Sequence, residues 1–206
     1  MKKEQALFAK IVESAQSNKT LALRTQQSLL WYQTKMKDVF GNKTVLSPNV
    51  FEKNDYPNFP LPGNIVTFTY DPKFQHKLPY YDQFPLVLVL KLVPNGFVGL
   101  NFHYLFPSDR ARFMDRLYRY QKIVGKGKQS PEIKINITYS ALKQKKTLFY
   151  YRASIKRYRI SQLRGFFHTL MPNEWDMALF LPTEKFMGKS KQNVWKESRK
   201  INGQNR

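Results

Sequence analysis

Between residues 122 and 164 the chain carries twelve basic side chains and a single acid, Glu132. A compact surface holding such a set repels itself, and a polyanion laid against it relieves the strain. The excess is uneven along the 206 residues. There are 9 bases and 5 acids in 1–60, 3 and 2 in 61–107, and 23 and 7 in 108–206, for a formal net charge of +21. Solubility alone asks for a charge of about 2–8 in a small domain. The pattern therefore points to nucleic acid, with an acidic protein surface inside an assembly as the competing partner. Apolar residues make up 42% of the chain and aromatics 15%, enough for a packed core. The longest apolar run, Pro85 to Leu90, falls far short of the roughly 20 residues that span a bilayer. Met1-Lys2-Lys3-Glu4-Gln5 leads into a charged amphipathic segment rather than an apolar signal core, so neither secretion nor a membrane is expected. With no cysteine, the chain has no disulfide, thiolate nucleophile or Cys-based zinc site.

Residues 4–40 contain no Gly or Pro. Leu7, Ile11, Ala15, Ala22, Leu29, Met36 and Phe40 fall on one helical stripe, interrupted by Asn18 and Thr25. The spacing predicts one long helix, or two broken near Ser17–Thr20, stopped at Gly41 and shaped to dock on another chain. Residues 41–63, rich in Asn, Pro and aromatics, read as an extended linker. Alternation then marks a half-buried strand at 64–70, with Val66, Phe68 and Tyr70 on one face. Residues 85–93 form a strand that is apolar on both faces, Pro94-Asn95-Gly96 a turn, and 97–104 a third strand. Pro107-Ser108-Asp109 opens a helix with Ser108 as its cap, and Phe113, Leu117, Tyr120 and Val124 form its apolar stripe. A short strand at 133–139 and one or two short helices are expected before residue 164. Two more strands follow at 165–171 and 175–181, and beyond Met187 a polar basic tail.

The expected architecture is α+β: a small SH3-like β-barrel of about five short strands, closed or nearly so, decorated by the long N-terminal helix and by inserted helices. Its parts are the helix 1–40, the linker 41–63, a barrel domain 64–186 with a helical, basic insertion at 107–164, and the tail 187–206.

Catalytic chemistry finds little support. His76, His103 and His168 lie in three separate segments without metal-ligand spacing and read as core or rim histidines. Asp71, Asp82, Glu174 and Asp176 would have to converge by chance to make a metal-dependent nuclease. No phosphate-binding glycine loop or nucleophile elbow is present. No catalytic residue, metal ligand or cofactor is assigned. The Pro- and aromatic-rich run from Asp71 to Pro85 is a stiffened loop, either packed on the barrel end or offered to a partner. The strongest candidates are the cations Lys143, Lys145, Lys146, Arg152, Lys156, Arg157, Arg159 and Arg164, interleaved with Tyr158, Phe166 and Phe167. Lysine and arginine neutralise phosphates, and with no sequence-reading helix in view such binding is salt-sensitive and indifferent to sequence.

Several stretches resemble a known family. They are Gly63 to Lys73, Leu78 to Leu86, Gly99 to Leu105 with Arg110, Ile155 to Tyr158, Glu174 to Pro182, Phe186, and Val194 to Arg199. Together they are similar to the small virion proteins of T-even-like contractile-tailed bacteriophages labelled DNA end protectors, a head-completion group that caps packaged genome ends against host exonuclease. The resemblance covers about residues 61–200. It implies a non-enzymatic virion protein that holds double-stranded DNA ends at the head or neck, and the eight basic residues read from the charge pattern are the candidates to bind their phosphates. It also implies a location in the virion, and in the host cytoplasm during assembly and after injection. Portal, neck, tail or baseplate proteins would be further partners, through the 4–40 helix and the C-terminal tail. The alternative is a structural protein of the neck, tail or baseplate, docked on other virion subunits without a direct DNA role.

Overall fold

The computed structural model describes residues 60–124, 150–170 and 184–203, apart from the side chains of 116–124 and 165–166. The expected helix at 4–40, the linker up to residue 59, the strands at 133–139 and 175–181, and Lys143, Lys145 and Lys146 lie outside the described residues.

The alternating run after Asn64 forms strand β1 (Ile65–Tyr70). A loop containing a single 3-10 turn leads to the two-residue β2 (Tyr81–Asp82), and then the hairpin β3 (Leu86–Val93) and β4 (Gly96–Asn101) follows. Asn95 makes the hairpin turn at φ 59°, a conformation asparagine tolerates well. β4 ends earlier than its apolar pattern suggests. The Asn101 side chain accepts the His103 N–H at 2.9 Å and folds Phe102–Tyr104 into a 3-10 turn. Helix α1 (Pro107–Val124) begins one residue before the expected cap. Pro107 takes the first helical position, where its missing N–H costs nothing, and the Phe106 carbonyl receives the N–H groups of Asp109 and Arg110. Ser108 thus lies inside the helix.

Two departures from expectation follow. The segment before residue 164 ends in a strand, β5 (Ile155–Arg159), preceded by a 3-10 turn at Arg152–Ser154. A further 3-10 turn, Ile160–Gln162, leads into β6 (Leu163–Leu170). The basic end is also folded: β7 (Phe186–Met187) pairs with β2, and α2 (Lys191–Ile201) occupies most of the supposed tail.

The main sheet is antiparallel, in the order β5-β4-β3-β1-β6. The fold is α+β, but the described strands do not close a barrel: β5 and β6 end the sheet they form and share no ladder. The sheet is nevertheless strongly curled. Three strand spacings would put β1 and β5 about 14 Å apart in a flat sheet, yet the rings of Phe68 and Tyr158 have centroids 5.2 Å apart. The two edges meet through side chains. Tyr158, Ile160, Leu163 and Phe167 pack with Val66, Phe68 and Phe97 in the concave core. On the convex face, Ile65, Leu88 and Leu100 pack under Phe113 and Met114 of α1, with Tyr151 and Ile155 alongside. β3 is buried on both faces, as its continuous apolar run requires.

Candidate nucleic-acid interface

Register decides which cations share a surface, because directly opposed residues of neighbouring strands point to the same side. Lys91 of β3 pairs with Val98 of β4, and Val98 with Arg157 of β5. One step toward the hairpin tip, Val93 pairs with Gly96 and Gly96 with Arg159. Leu88, Leu100 and Ile155, nearer the other end of the same convex face, are covered by the α1 side chains. Farther along the same face Lys91, Arg157 and Arg159 are exposed. Two residues along a strand are about 6.6 Å apart and two strands across about 10 Å, so the three cations form a compact triangle. Arg157 donates to the Pro94 carbonyl at 3.1 Å, which seats its guanidinium at the hairpin turn. Arg152, on the 3-10 turn that opens into β5, is exposed as well.

The other candidates are placed differently. Lys156 points to the opposite side of β5, its ammonium 4.2 Å from the centre of the Tyr104 ring. Burial pulls its pKa below the ordinary lysine value. Arg164, on β6, lies 3.4 Å from the Asp71 carboxylate. Tyr158 is a core residue rather than a stacking platform: Asn101 Nδ2 lies 3.1 Å from its hydroxyl, and burial raises its pKa well above the usual phenol range. Phe167 belongs to the same core. Lys91 is the member that sequence reasoning overlooked. Its signal was available, since it alone interrupts the apolar run Leu86–Val93, at the point where the strand passes from buried to exposed.

The acids explain why this surface stays cationic. Among the described residues there are nineteen Lys and Arg and six Asp and Glu. Asp82 is buried, accepting from Asn101 Nδ2 at 3.0 Å and from the Phe84 N–H at 3.2 Å, with His103 Nδ1 at 2.8 Å. Asp109 receives Arg199 at 3.1 Å, Glu184 is bound by the wholly buried Arg110, and Asp115 is buried. Of the six described acids, only Asp71 and Glu197 have substantially exposed side chains, and each is matched by its own cation, Arg164 and Lys189. The described carboxylates are thus engaged in holding the fold, while most of the described cations face water. No group of three His, Asp or Glu among the described residues could hold a metal ion, and no described helix is long and apolar enough to cross a membrane.

A family model described as phage T4 terminal DNA protecting protein matches residues 6–201. The match reaches well into the N-terminal segment, beyond the 61–200 stretch that carries the sequence resemblance. No curated protein and no solved structure matches the chain. With the family model spanning nearly the full length, the chain belongs to the phage T4 terminal DNA protecting protein family.

Proposed function

We propose that this protein shields the ends of packaged phage DNA without making or breaking a covalent bond, by covering the terminus so that an exonuclease cannot reach it. The duplex phosphates lie across Lys91, Arg157 and Arg159, with Arg152 beside them. Lys143, Lys145 and Lys146, on the chain leading toward β5, extend the contact. Lys156, seated on Tyr104, and Arg164, matched by Asp71, contribute less. The virion head or neck, and the infected cell after injection, are where such a protein acts.

The observation that carries this reading is the division of charge among the described residues: their carboxylates are buried or ion-paired, while Lys91, Arg157 and Arg159 are held at one exposed end of the sheet. Contacts of this kind are made to phosphate rather than to base edges, so no sequence preference is expected.

The test is exonuclease digestion of linear duplex DNA across a salt series, with circular DNA as competitor. Protection that circles fail to compete away supports end covering. The triple variant Lys91→Glu, Arg157→Glu, Arg159→Glu should lose protection and keep its thermal unfolding midpoint, since all three side chains are exposed. Absence of binding at physiological salt would overturn the reading in favour of a structural virion protein whose cations face acidic neighbours.

A further inference from the structure

A cationic face grips any stretch of duplex, so protection of an end needs a second element that only an end can satisfy. The loop between β1 and β2 offers one. Phe74 is 48% exposed at its tip, the highest exposure of any aromatic side chain among the described residues. Among the described residues its ring meets no other aromatic ring. The ammonium groups of Lys73 and Lys77 flank it instead, 5.5 and 5.8 Å from the ring centre. An apolar ring accompanied by two cations matches a terminal base pair, which exposes one π-face and carries phosphate on either side.

The loop holds this ring in place before any ligand arrives. Pro72 is buried, and the Gln75 N–H donates to its carbonyl at 3.1 Å. The Lys77 N–H donates to the Phe74 carbonyl at 2.9 Å, and the Tyr81 hydroxyl to Gln75 Oε1 at 2.9 Å. At the far end Gly188, with φ 92°, passes so close to Pro79 that a Cβ there would sit 2.7 Å from the Pro79 carbonyl oxygen. The near end is stitched to the basic face, because the Asp71 N–H donates to the Gln162 carbonyl at 3.0 Å, three residues after Arg159. An exposed phenylalanine on a stiff loop loses little entropy when it is covered.

We propose that Phe74 stacks on the exposed base pair of a duplex end, with Lys73 and Lys77 moving onto the terminal phosphates, and that this contact supplies the preference for ends. The proposal rests on the reading of the protein as an end protector and assigns the end-sensing part of it to this loop.

The experiment compares a short blunt duplex with a dumbbell of the same sequence whose ends are closed by loops. 2-Aminopurine is placed either at the terminus or in the interior. The wild type should prefer the blunt duplex and quench the terminal probe while leaving the interior probe unchanged. Phe74→Ala should bind the blunt duplex roughly tenfold more weakly, lose the terminal quench, and bind the dumbbell as before. Phe74→Tyr should restore both. If Phe74→Ala keeps the terminal quench and the preference for ends, or if the wild type binds both DNAs equally, the stacking proposal is overturned while the cationic face stands. If the wild type binds neither DNA, the end-protection reading falls with it. An impaired particle assembled from Phe74→Ala protein with unchanged DNA binding overturns the proposal by assigning the loop to a protein neighbour.

Discussion

Gly96 of β4 pairs with Arg159 of β5. A Cβ added there would fall 1.9 Å from the Tyr158 carbonyl oxygen and 3.3 Å from the Arg159 Cα. Both are backbone atoms, so no side chain can swing aside to make room. Gly96→Ala therefore pries β5 away from β4, and β5 carries Arg157 and Arg159. Stability should fall by about 1–3 kcal/mol, as overpacking does elsewhere. End protection should weaken at the same time. A lowered denaturant midpoint combined with lost protection is the expected pattern, in contrast to the charge-reversal triple variant, which should lose protection alone. An alanine variant with an unshifted midpoint would show that the two strands part without cost.

Arg110 and Glu184 pose a second question at the residue scale. The arginine is wholly buried, donates from Nε to the Leu105 carbonyl at 2.9 Å, and binds Glu184 through its terminal nitrogen. Burial, the largest single influence, would raise the pKa of Glu184, but the Arg110 guanidinium, the nearby His103 and the hydrogen bonds to the carboxyl together hold it below its ordinary value. A carboxyl depressed on folding stabilises the protein fully above its unfolded pKa of about 4.3. That contribution is lost as pH falls through the lower, folded value. Glu184→Gln removes the carboxylate that the buried arginine binds, and about 3–5 kcal/mol of stability should go at neutral pH. The acid limb of a stability–pH curve should also flatten below pH about 4. Wild-type and variant curves that stay parallel through that range would exclude this pair as the titrating element.

At the scale of elements, the strands with regular alternation could be read directly. Val66 and Phe68 are buried on the concave face and Tyr70 packs beside them, as their period of two requires. The double-faced burial of β3 was equally plain. β5 was hidden because it is an edge strand: three of its five residues are Lys or Arg, and only Tyr158 is fully buried. Edge strands often carry such charge, and hydropathy cannot tell this from a solvated helix. α2 was hidden for another reason. It buries one fully apolar residue, Val194, and otherwise docks through polar groups. Ser190 caps it, Trp195 Nε1 donates to the His103 carbonyl at 2.8 Å, and Asn202 Oδ1 accepts the Ala153 N–H at 3.0 Å. That last bond fixes the turn from which Arg152 projects and β5 begins. Asn202→Ala leaves a buried backbone donor unsatisfied, which costs about 1–3 kcal/mol. Amide exchange at Ala153 should rise by at least tenfold relative to the β3 amides. Unchanged protection at that amide would mean that α2 is not what anchors the start of β5.

For the whole molecule, the placement of charge makes DNA affinity a steep and divisible function of salt. If Lys91, Arg152, Arg157 and Arg159 each hold one phosphate, the logarithm of the binding constant should fall against the logarithm of salt with a slope of about −3.6. Lysines from the 143–146 stretch would steepen it further. Neutralising one cation of the open face, as in Arg157→Gln, should make the slope shallower by about 0.9. Arg164→Gln should change it by much less, because Asp71 already stands against that guanidinium. Lys156→Gln should also change it little, since that ammonium lies over the Tyr104 ring on the other side of the strand. All eight basic residues singled out in the sequence look alike as a charge count, and only register and ion pairing separate them. Isothermal titration of a blunt duplex over a salt range, with these three single variants beside the wild type, measures that separation. Equal slopes for all three would mean that DNA meets total charge rather than the exposed end of β3, β4 and β5.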